Sequence, residues 1–310
     1  MTAKPLVAVI AGGSSSERAV SLHSAQSVLA ACDALGYPRL SLDLDGTFID
    51  SVRAYRPAVA FNALHGGAGE DGTLAALLEF LHLPYQGSGV RASAIAMDKW
   101  LTKAVMRAED IPTPAAQLMR MGAHLTHVVP APVGLPCVIK PAAQGSALGV
   151  SIVRSAAEWQ AALSKASIYG DHLVVERYVE GREFTVAILD DEALPVVEIE
   201  PRDRFYTYDA KYTPGASVHT VPARIPPERA ARMQDYALRL HRALGCRDYS
   251  RIDVLAADDL SALYVLECNT LPGLTPLSLF PDAAAAADIS YEALIGRLIG
   301  NALNRRRALD

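Results

Sequence analysis

A chain of 310 residues with 51% hydrophobic content can bury two or three packed cores, which excludes a disordered or fibrous protein. A net charge of −5 without a long Lys/Arg run excludes the electrostatic footprint of a nucleic-acid binder, and Arg305, Arg306 and Arg307 read as a solvated helix end. No apolar run approaches the roughly 18 residues of a membrane span, no basic-then-apolar leader opens the chain, and Cys32, Cys137, Cys246 and Cys268 show no CxxC spacing, so a soluble cytoplasmic protein without zinc or disulfide framework is expected.

Taken in order, Pro5 to Gly13 (PLVAVIAGG) reads as a buried parallel strand ending in glycines. Ser14-Ser15-Ser16-Glu17-Arg18 is a cap-rich turn into a helix expected from about Ala19 to Leu35, a βα unit whose loop faces the carboxyl end of a sheet. The third glycine of a GxGxxG fingerprint is missing, but Asp43 and Asp45 follow where a ribose-binding acid would sit, which keeps a dehydrogenase as one alternative. Glu17 at a helix start is most simply a charge complementing the helix dipole; its functional alternative is a partner for a substrate ammonium. A second strand, Ala58 to Leu64, leads into His65-Gly66-Gly67-Ala68-Gly69-Glu70-Asp71-Gly72 and a helix from about Thr73 to Leu81. Those glycines allow backbone to approach a ligand closely, while a lone His in such a loop is more often structural than catalytic. A short helix around Ser93 to Asp98 and another ending near Asp110 precede the break Ile111-Pro112-Thr113-Pro114, and the first domain boundary is placed near residue 97.

The middle of the chain changes from parallel-type βα units to alternating strands. Pro136 to Pro141 carries Lys140, and a loop through Gln144-Gly145-Ser146 returns as Val150 to Val153. A loop between two strands is not a Walker A loop, yet its amides and Ser146 can close over triphosphate oxygens, with Lys140 as a point charge. The strands His172 to Val179 and Phe184 to Leu189 flank a tight turn, placing Glu176 and Glu183 where a purine edge and a ribose could be received. The second boundary falls here, giving domains 1–97, 98–180 and 181–310. Pro201 to Pro222 reads as a long polar loop, and its aromatics and Lys211 favour a lid.

Arg251 to Ser278 (RIDVLAADDLSALYVLECNTLPGLTPLS) carries the densest chemistry. Arg251 to Ala257 and Leu263 to Asn269 read as a hairpin centred on Leu260, with Asp253 opposite Glu267 and Arg251 opposite Asn269. Two directly opposed carboxylates repel unless a cation lies between them, and an all-oxygen set of two carboxylates and an amide suits Mg²⁺. A plain surface ion pair with Arg251 is the alternative. By alternation Cys268 points away from this face, into the packing. The loop that follows, through Pro272 and Gly273, has backbone amides that could point at an anion.

These residues together resemble the D-alanine:D-alanine ligases of the ATP-grasp superfamily over nearly the whole chain. The resemblance is carried by Gly12-Gly13-Ser14-Ser15-Ser16-Glu17-Arg18 with Val20-Ser21-Leu22, His65-Gly66 with Gly69-Glu70-Asp71-Gly72, and Met97-Asp98-Lys99. Further on it is carried by Lys140-Pro141 with Gly145-Ser146 and Gly149-Val150, Glu183-Phe184-Thr185-Val186, Tyr208-Asp209-Ala210-Lys211-Tyr212, Arg251-Ile252-Asp253, and Glu267 with Asn269-Thr270 and Pro272-Gly273. It implies an α/β fold, α+β in the ATP-grasp part, with three domains of which the first is a Rossmann-like parallel sheet.

The implied reaction phosphorylates one D-alanine with ATP and lets a second D-alanine displace the phosphate, supplying D-Ala-D-Ala for peptidoglycan. The resemblance implies two Mg²⁺ ions on Asp253, Glu267 and Asn269, with Mn²⁺ as a substitute and a monovalent cation as a further ligand. It places Lys99, Lys140 and the Ser146 loop on the phosphates, and Glu176, Tyr178, Val179 and Glu183 around adenine and ribose. Arg251 and the Gly273 amide would stabilise the tetrahedral oxyanion. Glu17, set by Ser146 and Tyr212, would hold the first D-alanine's ammonium near His65, and Ser278, Leu279 and Lys211 would receive the second D-alanine's carboxylate. Tyr212, where members forming the D-lactate ester carry Phe, favours the dipeptide; another acceptor, D-lactate or D-serine, is the alternative within the ligase class, and the family suggests a homodimer. Leu271, Leu274 and Ala19 depart from common family residues. A non-catalytic two-lobed binding protein is a further alternative, distinguished by the absence of metal-dependent ATP turnover.

Overall fold

A computed structural model describes residues 3–121, 130, 132–201 and 217–309. The first layer is a three-stranded parallel sheet: β1 (Val7–Ala11) lies between β2 (Arg39–Asp43) and β3 (Val59–Asn62). All five residues of β1 are buried, because both faces of the strand are covered. Val7, Val9 and Ala11 pack on α1 (Arg18–Ala34) and on α9 (Tyr291–Leu309) through Val28, Cys32, Leu294, Ile295 and Leu298. Ala8 and Ile10 face the other way, onto α2 (Phe48–Tyr55) and α3 (Thr73–Phe80) through Phe48, Val52, Leu74 and Leu78.

The chain then runs through α4 (Val90–Met97) and α5 (Lys99–Ala108). Asp98 separates and caps them, its side chain accepting the amides of Trp100 and Leu101. The buried side of α5 is Lys99, Thr102, Lys103 and Met106, an i, i+3, i+4, i+7 stripe. A four-stranded antiparallel sheet follows, in the order β4 (Ala116–Arg120), β7 (His172–Arg177), β5 (Cys137–Pro141), β6 (Ser151–Val153). One face packs Cys137, Ile139, Leu173 and Val175 on Trp159 and Leu163 of α6 (Trp159–Ser167). Strand alternation sends Val138, Lys140 and Glu176 to the opposite face.

The third sheet has six strands. β10 (Val197–Pro201), β8 (Arg182–Leu189), β12 (Tyr249–Ala256) and β13 (Leu263–Asn269) run in that order, β11 (Ser217–Thr220) edges β10, and β9 (Glu192–Ala193) pairs with β8. Ile252, Val254 and Ala256 pack under α7 (Pro227–Leu244), which ends at Gly245 in the left-handed conformation. The other face carries Arg251, Asp253 and Leu255. Ala187, Leu189, Val197, Tyr249 and Phe280 of this sheet and of α8 (Leu279–Ala285) join the same core as Val7 and Val9, so the first layer and the last share one interior.

Most expected elements fall within a few residues of their predicted bounds, and α4 starts three residues earlier than read, at Val90. One reading needs correction: the stretch taken as a loop from Pro201 to Pro222 has strand at both ends. Pro201 closes β10, and Ser217 to Thr220 pair back onto it, Pro201 opposite Ser217 and Glu198 opposite Thr220. The polar and aromatic composition concealed a strand whose outer face is half exposed.

Candidate active site

Two cavities, of 720 and 490 Å³, open between the three sheets, and both are lined by Lys99, Gly145, Ser146 and Glu267. The larger one gathers the N-terminal loops against the end of the hairpin. Glu17 precedes α1 but makes no capping hydrogen bond; it is buried, and its carboxylate accepts the Ser146 hydroxyl. The dipole reading of Glu17 is therefore incomplete: the side chain is turned into the cleft. Ser15 fixes the loop beneath by donating to the His65 carbonyl at 2.6 Å, and Ser24 Oγ lies 2.9 Å from His65 Nε2. Burial pushes His65 down to about 4 against the pull of Glu17, so its imidazole is neutral at neutral pH. Glu70 accepts the Gly66 amide at 2.9 Å, yet burial raises its carboxyl to about 7.

Gly273 sits at the far wall. A Cβ there would lie 2.9 Å from Ser278 Oγ, so any larger residue would push the Ser278 hydroxyl aside, and His65 Cε1 would stand 3.8 Å away in ordinary contact. Ser278 accepts the Thr275 amide at 3.1 Å and starts α8, with Leu279 as the first helical residue; both line the cleft. Across from them His219 Nδ1 meets Asp282 Oδ2 at 2.8 Å.

The hairpin pairs as expected: Asp253 faces Glu267 and Arg251 faces Asn269. A bulge then intervenes, since Val254 pairs with Val265 and leaves Leu266 extra. Asp253 is held on three sides, by Arg251 Nε at 2.9 Å and Nη2 at 2.8 Å and by the buried Thr185 hydroxyl at 2.8 Å. Glu267 lies 3.8 Å from Lys99 Nζ, and Lys99 also donates to the Gln144 carbonyl of the Ser146 loop. Asn269 Oδ1 accepts the Leu271 amide at 2.9 Å, which orients its carbonyl. Two carboxylates on adjacent strands with an amide oxygen beside them, at the junction of both cavities, fit a hard divalent cation. The flanking cations Arg251 and Lys99 keep the pair from repelling.

The 490 Å³ cavity lies between the four- and six-stranded sheets. Lys140, Glu176, Tyr178, Val179, Glu183 and Asp253 line it. Lys140 Nζ donates to Glu176 Oε1 at 2.6 Å. Lys103 Nζ lies 2.9 Å from Oε2, which is enclosed behind the cavity wall. Burial drives the Glu176 carboxyl up, but the pull of Lys140 and Lys103 outweighs it and holds the group below the usual carboxylate range. Arg154 stacks over the Tyr178 ring, 5.3 Å from its centroid.

The structure thus brings together sixteen of the residues singled out from the sequence; Lys211 and Tyr212 lie outside the described residues. Sequence reading gave no role to Lys103, Arg154 or the His219–Asp282 pair, and named Thr185 only within a family motif. Lys103 had a signal, its place in the α5 stripe; the others are recognisable only through partners distant in the chain. Both ribose acids of the dehydrogenase alternative are engaged locally, Asp43 by the Gly13 amide at 2.8 Å and by Arg18, and Asp45 by the Thr47 amide at 2.8 Å and hydroxyl at 2.7 Å. Among the described residues no helix is long and apolar enough to cross a membrane.

Comparison with known proteins agrees with this arrangement. The family model described as "D-ala D-ala ligase C-terminus" matches residues 105–300. A D-alanine–D-alanine ligase of Desulforudis audaxviator is 42% identical over 304 residues, covering 96% of this chain and 99% of the relative. One from Acidiphilium cryptum is 43% identical over 301 residues, with 96% and 99% covered. The crystal structure of the Bacillus anthracis D-alanine–D-alanine ligase complexed with ATP superposes with a TM-score of 0.87 at 32% identity, covering 99% of this chain and 100% of that one. With its mixed α/β layers, its paired cavities and relatives matched from end to end, the chain belongs to the D-alanine–D-alanine ligase family of ATP-grasp enzymes.

Proposed function

We propose that the protein joins two molecules of D-alanine at the cost of one ATP, giving D-alanyl-D-alanine, ADP and phosphate for peptidoglycan synthesis. The observation that carries this reading is the junction itself: the cleft lined by Glu17, His65 and Ser278 and the cavity lined by Lys140, Glu176 and Glu183 share Lys99, Gly145, Ser146 and Glu267. A γ-phosphoryl group and a substrate carboxylate can meet only there.

In this reading Glu176, Tyr178 and Val179 line the adenine pocket, and Glu183 receives the ribose. Lys140 and Lys99 hold the phosphates under the Ser146 loop. Asp253, Glu267 and Asn269 would hold Mg²⁺, which would supply charge neutralisation for phosphoryl transfer. Glu17, oriented by Ser146, pairs with the ammonium of the donor D-alanine, whose carboxylate oxygen attacks the γ-phosphorus while the bond to ADP breaks. The second D-alanine, its carboxylate at Ser278 and the start of α8, then attacks the acyl carbon. The C–N bond forms, the C–O bond to phosphate breaks, and the amine proton leaves to solvent or phosphate. Arg251 and the Gly273 amide face the oxyanion formed in that step. Lys211 and Tyr212 complete the acceptor and donor contacts, and Tyr212 favours an amine acceptor over D-lactate.

The test is Mg²⁺-dependent phosphate release from ATP with D-alanine, with L-alanine, and with D-alanine plus D-lactate, the product identified by mass. Release with D-alanine alone, yielding the dipeptide, is expected. Release only with another amino acid, or a mixed ester as the main product, overturns the substrate assignment.

A further inference from the structure

Lys103 belongs to no role assigned so far, yet it is among the largest fully buried side chains of the protein, with none of its side chain exposed. A lysine is seldom buried so completely without a partner that requires it. Its ammonium donates to Thr113 Oγ1 at 2.7 Å and lies 2.9 Å from Glu176 Oε2. Burial pushes it down to about 8, with Glu176 opposing, so it stays protonated at neutral pH. Glu176 is held from two sides, by Lys140 on Oε1 and by Lys103 on Oε2. Only one of these lysines lines the nucleotide cavity: Lys140 does, and Lys103 is behind the wall.

The charge count decides what this arrangement does. A single carboxylate paired with Lys140 alone would form a neutral couple, leaving nothing net for the phosphates of a nucleotide. With a second lysine behind, the buried trio carries one net positive charge, and the lysine facing the cavity is the one able to offer it. Lys99 stands one helical turn before Lys103 on the same face of α5, so one rigid helix sets both the phosphate-side lysine and the charge behind Glu176.

We propose that Lys103 is a positioning residue for the nucleotide: by neutralising Glu176 from behind the cavity wall, it releases the charge of Lys140 for the phosphates while fixing the Glu176 carboxylate for the base. This rests on the ATP-dependent reading above. It distinguishes Lys103 from a merely structural ion pair, because the effect must depend on whether the ligand carries phosphates.

The experiment compares the affinities of ADP and adenosine, by calorimetry or by displacement of a fluorescent nucleotide at one fixed Mg²⁺ concentration, in the wild-type protein and three variants. In Lys103→Met, ADP affinity falls about tenfold more than adenosine affinity. In Glu176→Gln, where both lysines lose their counter-charge, both ligands weaken through the base, but the ratio of ADP to adenosine affinity rises above wild type. In the double variant the ratio returns to within about threefold of wild type. Equal loss of ADP and adenosine affinity in folded Lys103→Met overturns the inference. If that variant does not fold, an unchanged or lowered ratio in Glu176→Gln overturns it alone. Wild-type protein that ligates D-alanine with either failure leaves the ligase reading standing; wild-type protein that binds no ADP removes both.

Discussion

The two cavities hold their functional groups by different means. In the nucleotide cavity the charges are paired within one sheet and the helix behind it: Val138 faces Glu176 and Lys140 faces Val174 across β5 and β7, so register alone brings Lys140 to Glu176. In the amino-acid cleft the decisive contacts join distant segments. Ser146 reaches Glu17 across 129 positions and Ser15 reaches His65 across 50, while Gly273 packs against Ser278 where a Cβ would stand 2.9 Å from its hydroxyl oxygen. The Lys140–Glu176 pair, set by register, is in place as soon as its sheet is. A site set by convergence exists only while three layers keep their relative positions, which makes it the more sensitive of the two to displacement and the natural place for control over the reaction.

The largest effect should come from the junction, where the comparison collapses because both cavities depend on it. Chelation of divalent cations is expected to abolish turnover and Mg²⁺ to restore it, and Asp253→Asn or Glu267→Gln should lower kcat by about 10³-fold or more, read by steady-state phosphate release. Separation of the cavities comes next. Glu17→Gln should raise the donor D-alanine KM by about 10²-fold while ADP affinity stays within about twofold. Equal losses for both ligands would mean that the cavities are not independent.

The converse change is Gly181→Ala, in the turn that closes the nucleotide cavity. A Cβ at Gly181 would stand 1.9 Å from the Ala256 carbonyl oxygen, at a φ of +157° that other residues rarely adopt. The β7–β8 turn must then move off β12, and a stability loss of about 3 kcal/mol in denaturant unfolding is expected, with weaker ADP binding as the first functional symptom.

The smallest effect tests the layer beneath. His241 on α7 is buried against the Ser250 hydroxyl at 2.7 Å, and burial pushes it down to about 4. An unfolded His takes up its proton near pH 6.5, so between roughly pH 6.5 and 4 the unfolded chain binds a proton the folded one refuses, and stability falls as the pH falls. His241→Gln should remove about 1–2 kcal/mol of the stability difference between about pH 7 and 5, without changing either substrate's KM at neutral pH.

Much of this was legible beforehand, for reasons that differ by residue. Asp253, Glu267, Arg251 and Asn269 could be paired because strand alternation and a turn centred on Leu260 leave one register; the bulge at Leu266 left no mark in the pattern. The Ser146 loop was legible as a phosphate cover because glycine and serine between two strands mean exposed amides. That its hydroxyl would meet Glu17 followed only from the family resemblance, since no local rule links residues so far apart. Lys103 stayed hidden because a lysine on a helix is ordinarily solvated, and its burial follows from where α5 lies rather than from its own chemistry.

The shared interior of the first and last layers bears on how the chain is made. The face of the first sheet that carries Val7, Val9 and Ala11 is covered in part by Leu294, Ile295 and Leu298 of α9, and Gly296 lets that helix press closely on Leu35 at the end of α1. A chain growing on the ribosome therefore presents β1 to β3 with one side covered by α1 alone while every other strand is being synthesised. The layer that is translated first is finished last, and during that interval its apolar side is the surface most open to wrong partners.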